Sequence, residues 1–185
     1  EYDQGQRYWL KYTKPVLIEE YLKSTVNNLS PGGKLLSHTI SDTEDLNKPI
    51  EIRMEFEGPK FLTEAGEDRL VPQLGGFSTS LVSRDERSYP IDFRTLDEFD
   101  VMVKIKLPEN LIIKYLPPPV IKNTPWFTYL NKYSFSQGII FFEESLVHKR
   151  VLVTPENYEE YKRICEDLAR QTDKQAVLER VSQTE

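Results

Sequence analysis

Apolar and polar side chains alternate along residues 50–56 and again along residues 99–107. The apolar positions of the second stretch are Phe99, Val101, Val103, Ile105 and Leu107. Successive side chains of a strand point to opposite faces, so a spacing of two places these residues on one face, against a core. Both stretches are therefore predicted to be strands of antiparallel sheets, with the opposite face exposed to water.

A second apolar run, residues 111–116, follows the short turn Pro108-Glu109-Asn110 and ends at three consecutive prolines, Pro117 to Pro119. Two apolar runs separated by a short turn are typical of a β-hairpin. We therefore predict that residues 99–107 and 111–116 pair with each other in the middle of the domain.

Residues 1–29, which precede these strands, predict a further strand and a helix. Tyr8, Leu10 and Tyr12 alternate with polar or aromatic neighbours, which predicts an edge strand within residues 1–13. Apolar residues spaced by three and four predict a helix over residues 14–29, with Thr13 as its cap and Pro15 in its first turn.

The pattern of the remaining sequence predicts strands over residues 34–153, with a tight turn at Gln137-Gly138. It then predicts a helix over residues 155–170 and a closing strand over residues 174–179. Thr154-Pro155-Glu156 is a strong start signal for that helix. The predicted fold is mainly β, an antiparallel β-sandwich with two flanking α-helices, forming a single domain over residues 1–185.

Charge and hydropathy argue against two classes of protein, those that bind nucleic acids and those that span a membrane. The 185 residues carry a formal net charge of -6, which argues against a nucleic-acid partner because no basic face is available for phosphates. No apolar run approaches the roughly 20 residues that span a bilayer, so the chain is not expected to be membrane-spanning. Because the sequence begins at Glu1 and not at methionine, we expect a piece of a longer protein.

Candidate chemistry is sparse, and we predict no catalytic, cofactor or metal site. Cys165 is the single cysteine and lies on the apolar stripe of the second helix, where a buried, inert thiol is expected. The two histidines, His38 and His148, stand in no ligand or catalytic spacing. The acidic residues of the loop 42–45 lack the spacing of a calcium loop and are expected to be solvated.

The aromatic residues Trp126, Phe127 and Tyr129 are the candidate binding surface. A strand presents alternate rings on one face, and a row of exposed rings would bind carbohydrate. The same rings are expected in the core of a two-sheet domain. Their exposure decides between these two interpretations.

Three groups of motifs, in this order, resemble a known family. The first runs from Leu35-Leu36-Ser37-His38 to the alternating strand that ends at Phe56; the second is Arg87-Ser88-Tyr89-Pro90-Ile91 with the strand closing at Leu107-Pro108. The third is the Gly138 hairpin with the helix that carries Tyr158 and Tyr161. Together they resemble the C-terminal β-rich region of bacterial transglutaminase-like proteins, which also carry an N-terminal β domain of unknown function and a papain-like core.

The resemblance implies a Cys-His-Asp triad in the core of the parent protein, upstream of this region, and a periplasmic or cell-envelope setting. None of the triad positions falls on this sequence. We therefore expect a non-catalytic accessory or interaction domain whose partners are other domains of the same parent chain. The alternative is a carbohydrate- or peptide-binding β-sandwich module with a glycan or peptide partner. An enzyme would require Cys165 and a histidine in one cleft.

Overall fold

The computed structural model describes residues 2–181 and confirms a mainly β chain, with 37% of residues in strands and 25% in helices. The strands pair antiparallel in several sheets, and three α-helices accompany them where two were predicted. The residues fall into two compact units, 1–63 and 64–185, and each is described by itself. The predicted single domain over 1–185 stays a prediction.

The first unit is a helical pair packed on a two-stranded sheet. Its elements are α1 (Tyr2–Tyr12), α2 (Pro15–Leu29), β1 (Lys34–Ile40) and β2 (Ile52–Glu57). Leu10, Ile18 and Leu22 form its buried centre, against half-buried side chains of the sheet that include Ile52 and Met54. The predicted helix 14–29 and the one-faced strand 50–56 are therefore confirmed, the strand beginning at Ile52.

The predicted edge strand within residues 1–13 is wrong, because this segment is helix α1. Among residues 4–12 of this helix the buried side chains are Arg7 and Leu10, and their spacing of three fits one face of a helix. The Arg7 guanidinium donates hydrogen bonds to the backbone carbonyls of Thr43, Asp45 and Lys48. The predicted cap is also displaced: Lys14 and not Thr13 occupies the cap of α2, and no side-chain bond closes it.

The second unit contains the remaining elements. Its strands are β3 (Thr63–Ala65), β4 (Asp68–Leu70), β5 (Ile91–Asp92), β6 (Glu98–Lys106), β7 (Leu111–Tyr115), β8 (Val120–Asn123), β9 (Phe127–Ser136), β10 (Ile139–His148), β11 (Leu152–Val153) and β12 (Val177–Arg180). A 3₁₀ turn, Pro155–Asn157, leads into α3 (Tyr158–Thr172). The strands form the sheets β6-β10-β9-β8, β3-β4-β12-β7 and β11-β5. The predicted second helix and the closing strand are confirmed.

The predicted hairpin between residues 99–107 and 111–116 is wrong, although both strands exist. β6 pairs with β10 over nine residues, whereas β7 pairs with β12 in the other four-stranded sheet. A tight turn, in which the Leu111 N–H bonds the Pro108 carbonyl, carries the chain from one sheet to the other. The longer β10 offers β6 an unbroken ladder, which the five residues of β7 cannot match.

The sheet β6-β10-β9-β8 has an inner face that packs in the core. α3 contributes Tyr158, Tyr161, Cys165 and Leu168 to this core, as the periodicity predicts. Ile140 and Phe142 of β10 are buried on the same face. The opposite, outer face of this sheet is described below because it bears on function.

Candidate functional site

The candidate binding surface of Trp126, Phe127 and Tyr129 is buried. All three side chains are at most 3% exposed and belong to the core that α3 covers. The Trp126 ring meets the Tyr161 ring edge-on, with centroids 5.4 Å apart. A ring must present an open face to stack on a sugar, so these three rings stabilise the core and offer no carbohydrate platform.

A buried carboxylate, which the sequence patterns did not reveal, lies beside these rings. Glu144 is 6% exposed, and its Oε1 atom accepts a hydrogen bond of 2.5 Å from the Tyr129 hydroxyl. The Asn131 amide lies 3.4 Å from the same oxygen. Burial, followed by the neighbouring Glu144, raises the pKa of Tyr129. The signal available in the sequence was the placement of Asn131 and Glu144 at inner positions of β9 and β10.

This polar group is closed on a further side by the backbone of Gly75. A Cβ atom at Gly75 would stand 2.2 Å from Oε2 of Glu144 and 2.8 Å from Cζ of Phe142. The Thr172 hydroxyl accepts a hydrogen bond from the nearby Phe77 N–H. The carboxylate is therefore hydrogen-bonded and enclosed, an arrangement that fixes side-chain packing.

Cys165 is 1% exposed, and burial raises the pKa of its thiol to about 11. A thiol with so high a pKa holds little thiolate at neutral pH, and the thiolate is the nucleophilic form. His148 points elsewhere, with its ring 4.6 Å from the Phe93 ring and its Nδ1 atom 3.3 Å from the Asp97 carbonyl oxygen. His38 belongs to β1 of the first unit.

The acidic loop 42–45 is neutralised by basic side chains of the first unit. Lys11 lies 2.9 Å from Glu44, and Lys48 lies 3.1 Å from Asp45. The Arg7 guanidinium donates hydrogen bonds to backbone carbonyls of this loop, as described above. Within the described part of the chain, no group of three or more His, Cys, Asp or Glu side chains is arranged to hold a metal ion.

Arg84 and residues 86–89 line a concavity of about 350 Å³. The Tyr158 hydroxyl and the Lys162 ammonium both donate to the Arg84 carbonyl, at 2.6 and 3.0 Å. Arg87 stacks on the Tyr158 ring and donates to the Leu81 carbonyl. These bonds tether the segment to α3, and the Arg87 guanidinium acts there as a structural brace.

The outer face of the sheet β6-β10-β9-β8 carries apolar side chains on every strand. Met102 on β6 is 74% exposed, and Ile121 on β8 is 72% exposed. Ile121 lies directly opposite the half-buried Leu130, whereas Phe141 is diagonal to Met102. Exposed charged side chains stand among them: Glu98, Asp100, Lys104 and Lys106 on β6, and Lys132 on β9. The outer face is therefore mixed, and its exposed apolar side chains at Met102 and Ile121 are available for protein contact.

Comparisons with known proteins place the second unit in a family. Residues 69–178, more than half of the chain, match a domain of unknown function with a solved structure (DUF3858). One solved structure, a candidate protease from Parabacteroides distasonis, is 10% identical with a TM-score of 0.44, over 52% of this chain and 19% of that protein. So weak a likeness carries no argument. A comparison with curated proteins finds no match. No helix within residues 2–181 is long and apolar enough to cross a bilayer.

Proposed function

The chain belongs to the DUF3858 family. We propose that it is a non-catalytic accessory domain of a transglutaminase-like protein. It packs on another domain of the same parent chain through the outer face of the sheet β6-β10-β9-β8. The exposed apolar side chains of that face carry the proposal. Burying them against a neighbouring domain would contribute roughly 25 cal/mol per Å² of apolar surface removed from water.

The chemistry of the second unit supports a role without a chemical step. Its thiol is enclosed in the core with a raised pKa, and its buried carboxylate is bonded to Tyr129. Groups that act on a substrate must reach it, and both of these face the interior. The domain would then affect the stability of the core or substrate access to it.

The transglutaminase-like parent rests on the order of motifs given above. That resemblance brings with it a Cys-His-Asp core elsewhere in the parent chain and a bacterial periplasmic or envelope setting. The occupant of the outer face is accordingly a domain of that parent chain.

The experiment compares two exposed leucine-sized side chains in two molecular contexts. Ile121→Glu changes the outer face, and Leu46→Glu changes a loop residue of similar exposure, 70% against 72%. In the full-length parent we expect Ile121→Glu to lower the melting temperature by about 3 °C or more, because a docked face would bury an unpaired charge. Leu46→Glu should leave the melting temperature of the parent unchanged. Neither variant should change the melting temperature of the isolated chain.

Two results would contradict the proposal. Equal melting temperatures for both variants in the full-length parent would show that the outer face contacts no other domain. Turnover of peptide or glutamine-donor substrates by the isolated chain, lost in Cys165→Ala, would make this an enzyme.

A further inference from the structure

The long edge of the sheet β6-β10-β9-β8 is strand β6. Its ladder with β10 is unbroken from Glu98 to Lys106. Within residues 2–181 no strand pairs with its other side, since β6 ends the strand order of this sheet. The opposite edge, β8, is only four residues long and follows three prolines, which protect an edge against further pairing. β6 is nine residues long and contains no proline.

The backbone groups that β6 presents at this edge follow from its bonds to β10. The Leu107 N–H bonds the Gly138 carbonyl, and the Asp97 carbonyl accepts the His148 N–H, so the odd-numbered residues face β10. Backbone direction alternates along a strand. The N–H and C=O groups of Glu98, Asp100, Met102, Lys104 and Lys106 therefore point away from the sheet.

The same five residues have side chains on the outer face, and their charges are ordered. Acidic residues stand before Met102 and basic residues after it: Glu98 and Asp100, then Lys104 and Lys106. All four are exposed. Two antiparallel copies of β6 that cross at Met102 would set Glu98 against Lys106 and Asp100 against Lys104.

That register also matches the inner face, where Val101 would meet Val103 and Phe99 would meet Ile105. Because the two strands are related by symmetry, this register forms the Glu98–Lys106 pair twice and the Asp100–Lys104 pair twice, four ion pairs in all. A slip by two residues keeps the backbone groups aligned but leaves one kind, Asp100 with Lys106 or Glu98 with Lys104, which makes two. The charge order thus selects one register with a two-fold axis at Met102.

We infer that β6 is a dimerisation edge: a second copy of this chain adds its own β6 antiparallel and joins the two four-stranded sheets into one of eight strands. The contact is isologous, because each copy contributes the same strand. Backbone hydrogen bonds give the affinity, and the ordered charges give the register. The inference concerns the sheet edge and does not depend on the proposed docking of the outer face.

The test uses two charge variants of the whole chain in analytical ultracentrifugation. Glu98→Lys with Asp100→Lys makes the edge wholly basic, and Lys104→Glu with Lys106→Glu makes it wholly acidic. The wild type should sediment as a dimer of 21.7 kDa chains. Each variant alone should raise the dimer dissociation constant at least about tenfold through like-charge contacts, and an equimolar mixture should restore the dimer.

A second pair of variants tests the backbone. Met102→Pro removes an N–H that points outward, where proline is tolerated, whereas Met102→Ala keeps it. The dimer should be lost in the first and kept in the second, with near-ultraviolet circular dichroism confirming the fold of both. A wild type that stays monomeric at about 1 mM, far above the dissociation constants of stable dimers, overturns the inference. So does a dimer that persists in both charge variants, or one lost equally in both Met102 variants.

Discussion

Gly75 lies against the buried carboxylate of Glu144, where a Cβ atom would approach Oε2 to 2.2 Å. We expect Gly75→Ala to lower the free energy of unfolding by about 1–3 kcal/mol, because the enclosed carboxylate and the Phe142 ring would have to shift. Chemical denaturation measures the loss.

The neighbouring glycine provides the matched control. A Cβ atom at Gly76 would come within 2.7 Å of Nε2 of Gln73, the far end of a flexible side chain that can turn away. Gly76→Ala should therefore change the free energy of unfolding by less than about 0.5 kcal/mol. Equal losses at both glycines would contradict the packing described around Glu144.

The Cys165 thiol should be inert in the folded protein. It is 1% exposed, and its pKa is raised to about 11 by burial. At pH 8 we expect a disulfide reagent to label the native chain at least about tenfold more slowly than the chain in denaturant. The same rate in both conditions would place the thiol at the surface.

At the residue scale, the sequence predicts a side chain's burial where a helical stripe surrounds it, as at Cys165 between Tyr161 and Leu168. The sequence could not decide whether Trp126, Phe127 and Tyr129 are exposed, because an aromatic strand has the same sequence pattern in a core and on a binding face. Arg7 shows the opposite difficulty. A charged residue is expected at the surface, but its burial follows from carbonyl partners more than thirty-five residues away in the chain.

The β9-β10 hairpin turns at Gln137 and Gly138, whose φ angles are 51° and 75°. Positive φ at both central residues defines a two-residue turn that favours Asn-Gly. Gln137→Asn should therefore raise the free energy of unfolding by about 0.5 kcal/mol, since asparagine adopts the left-handed region more readily. Thermal denaturation tests this, with Gln137→Ala as a control that should gain nothing.

Val103 tests the assignment of faces on β6. It lies opposite Phe142 and is half-buried on the inner face, whereas the adjacent Met102 is 74% exposed on the outer face. Val103→Asp should cost about 1–3 kcal/mol, because the charge would face the apolar side without a partner. Met102→Asp should cost little when measured at a concentration at which the chain is monomeric. If both variants unfold at the same denaturant concentration as the wild type, the faces are assigned wrongly.

At the element scale, strands and helices with a strong period were predictable, and their pairing was not. The alternation of residues 99–107 depends only on local sequence, so β6 was found. Its partner depends on which strand offers the longer ladder, and β10 lies more than thirty residues further along the chain. The helix α1 was missed because three aromatic or apolar residues at spacing two also fit a helix with an exposed aromatic side.

At the scale of the whole molecule, the β class was predictable from many short alternating segments, and the division into residues 1–63 and 64–185 was not. No proline- or glycine-rich linker marks that boundary, which falls within the short strand β3. The charge order of β6 was visible in the sequence, but it acquires meaning only when β6 is known to end its sheet.

Four buried groups make the free energy of unfolding depend on pH in the alkaline range. Burial is the largest cause of the raised pKa of Tyr129, Tyr133, Tyr161 and Cys165. Each folded-state pKa lies above the unfolded value, so each contribution to stability is present in full below the unfolded pKa and is lost as pH rises towards the folded pKa. For Cys165 this window runs from its ordinary value of 9.0 to about 11.

We therefore expect the free energy of unfolding to fall between pH 9 and pH 11, with Cys165 alone contributing a slope of about 1 kcal/mol per pH unit at the middle of this range. Urea denaturation at half-unit pH steps measures the slope. Cys165→Ala leaves a cavity and lowers stability at every pH, but it should flatten the slope because the titrating thiol is gone. A slope that is unchanged in Cys165→Ala would show that the thiol titrates alike in the folded and unfolded chain, and the buried position assigned to it would then be wrong.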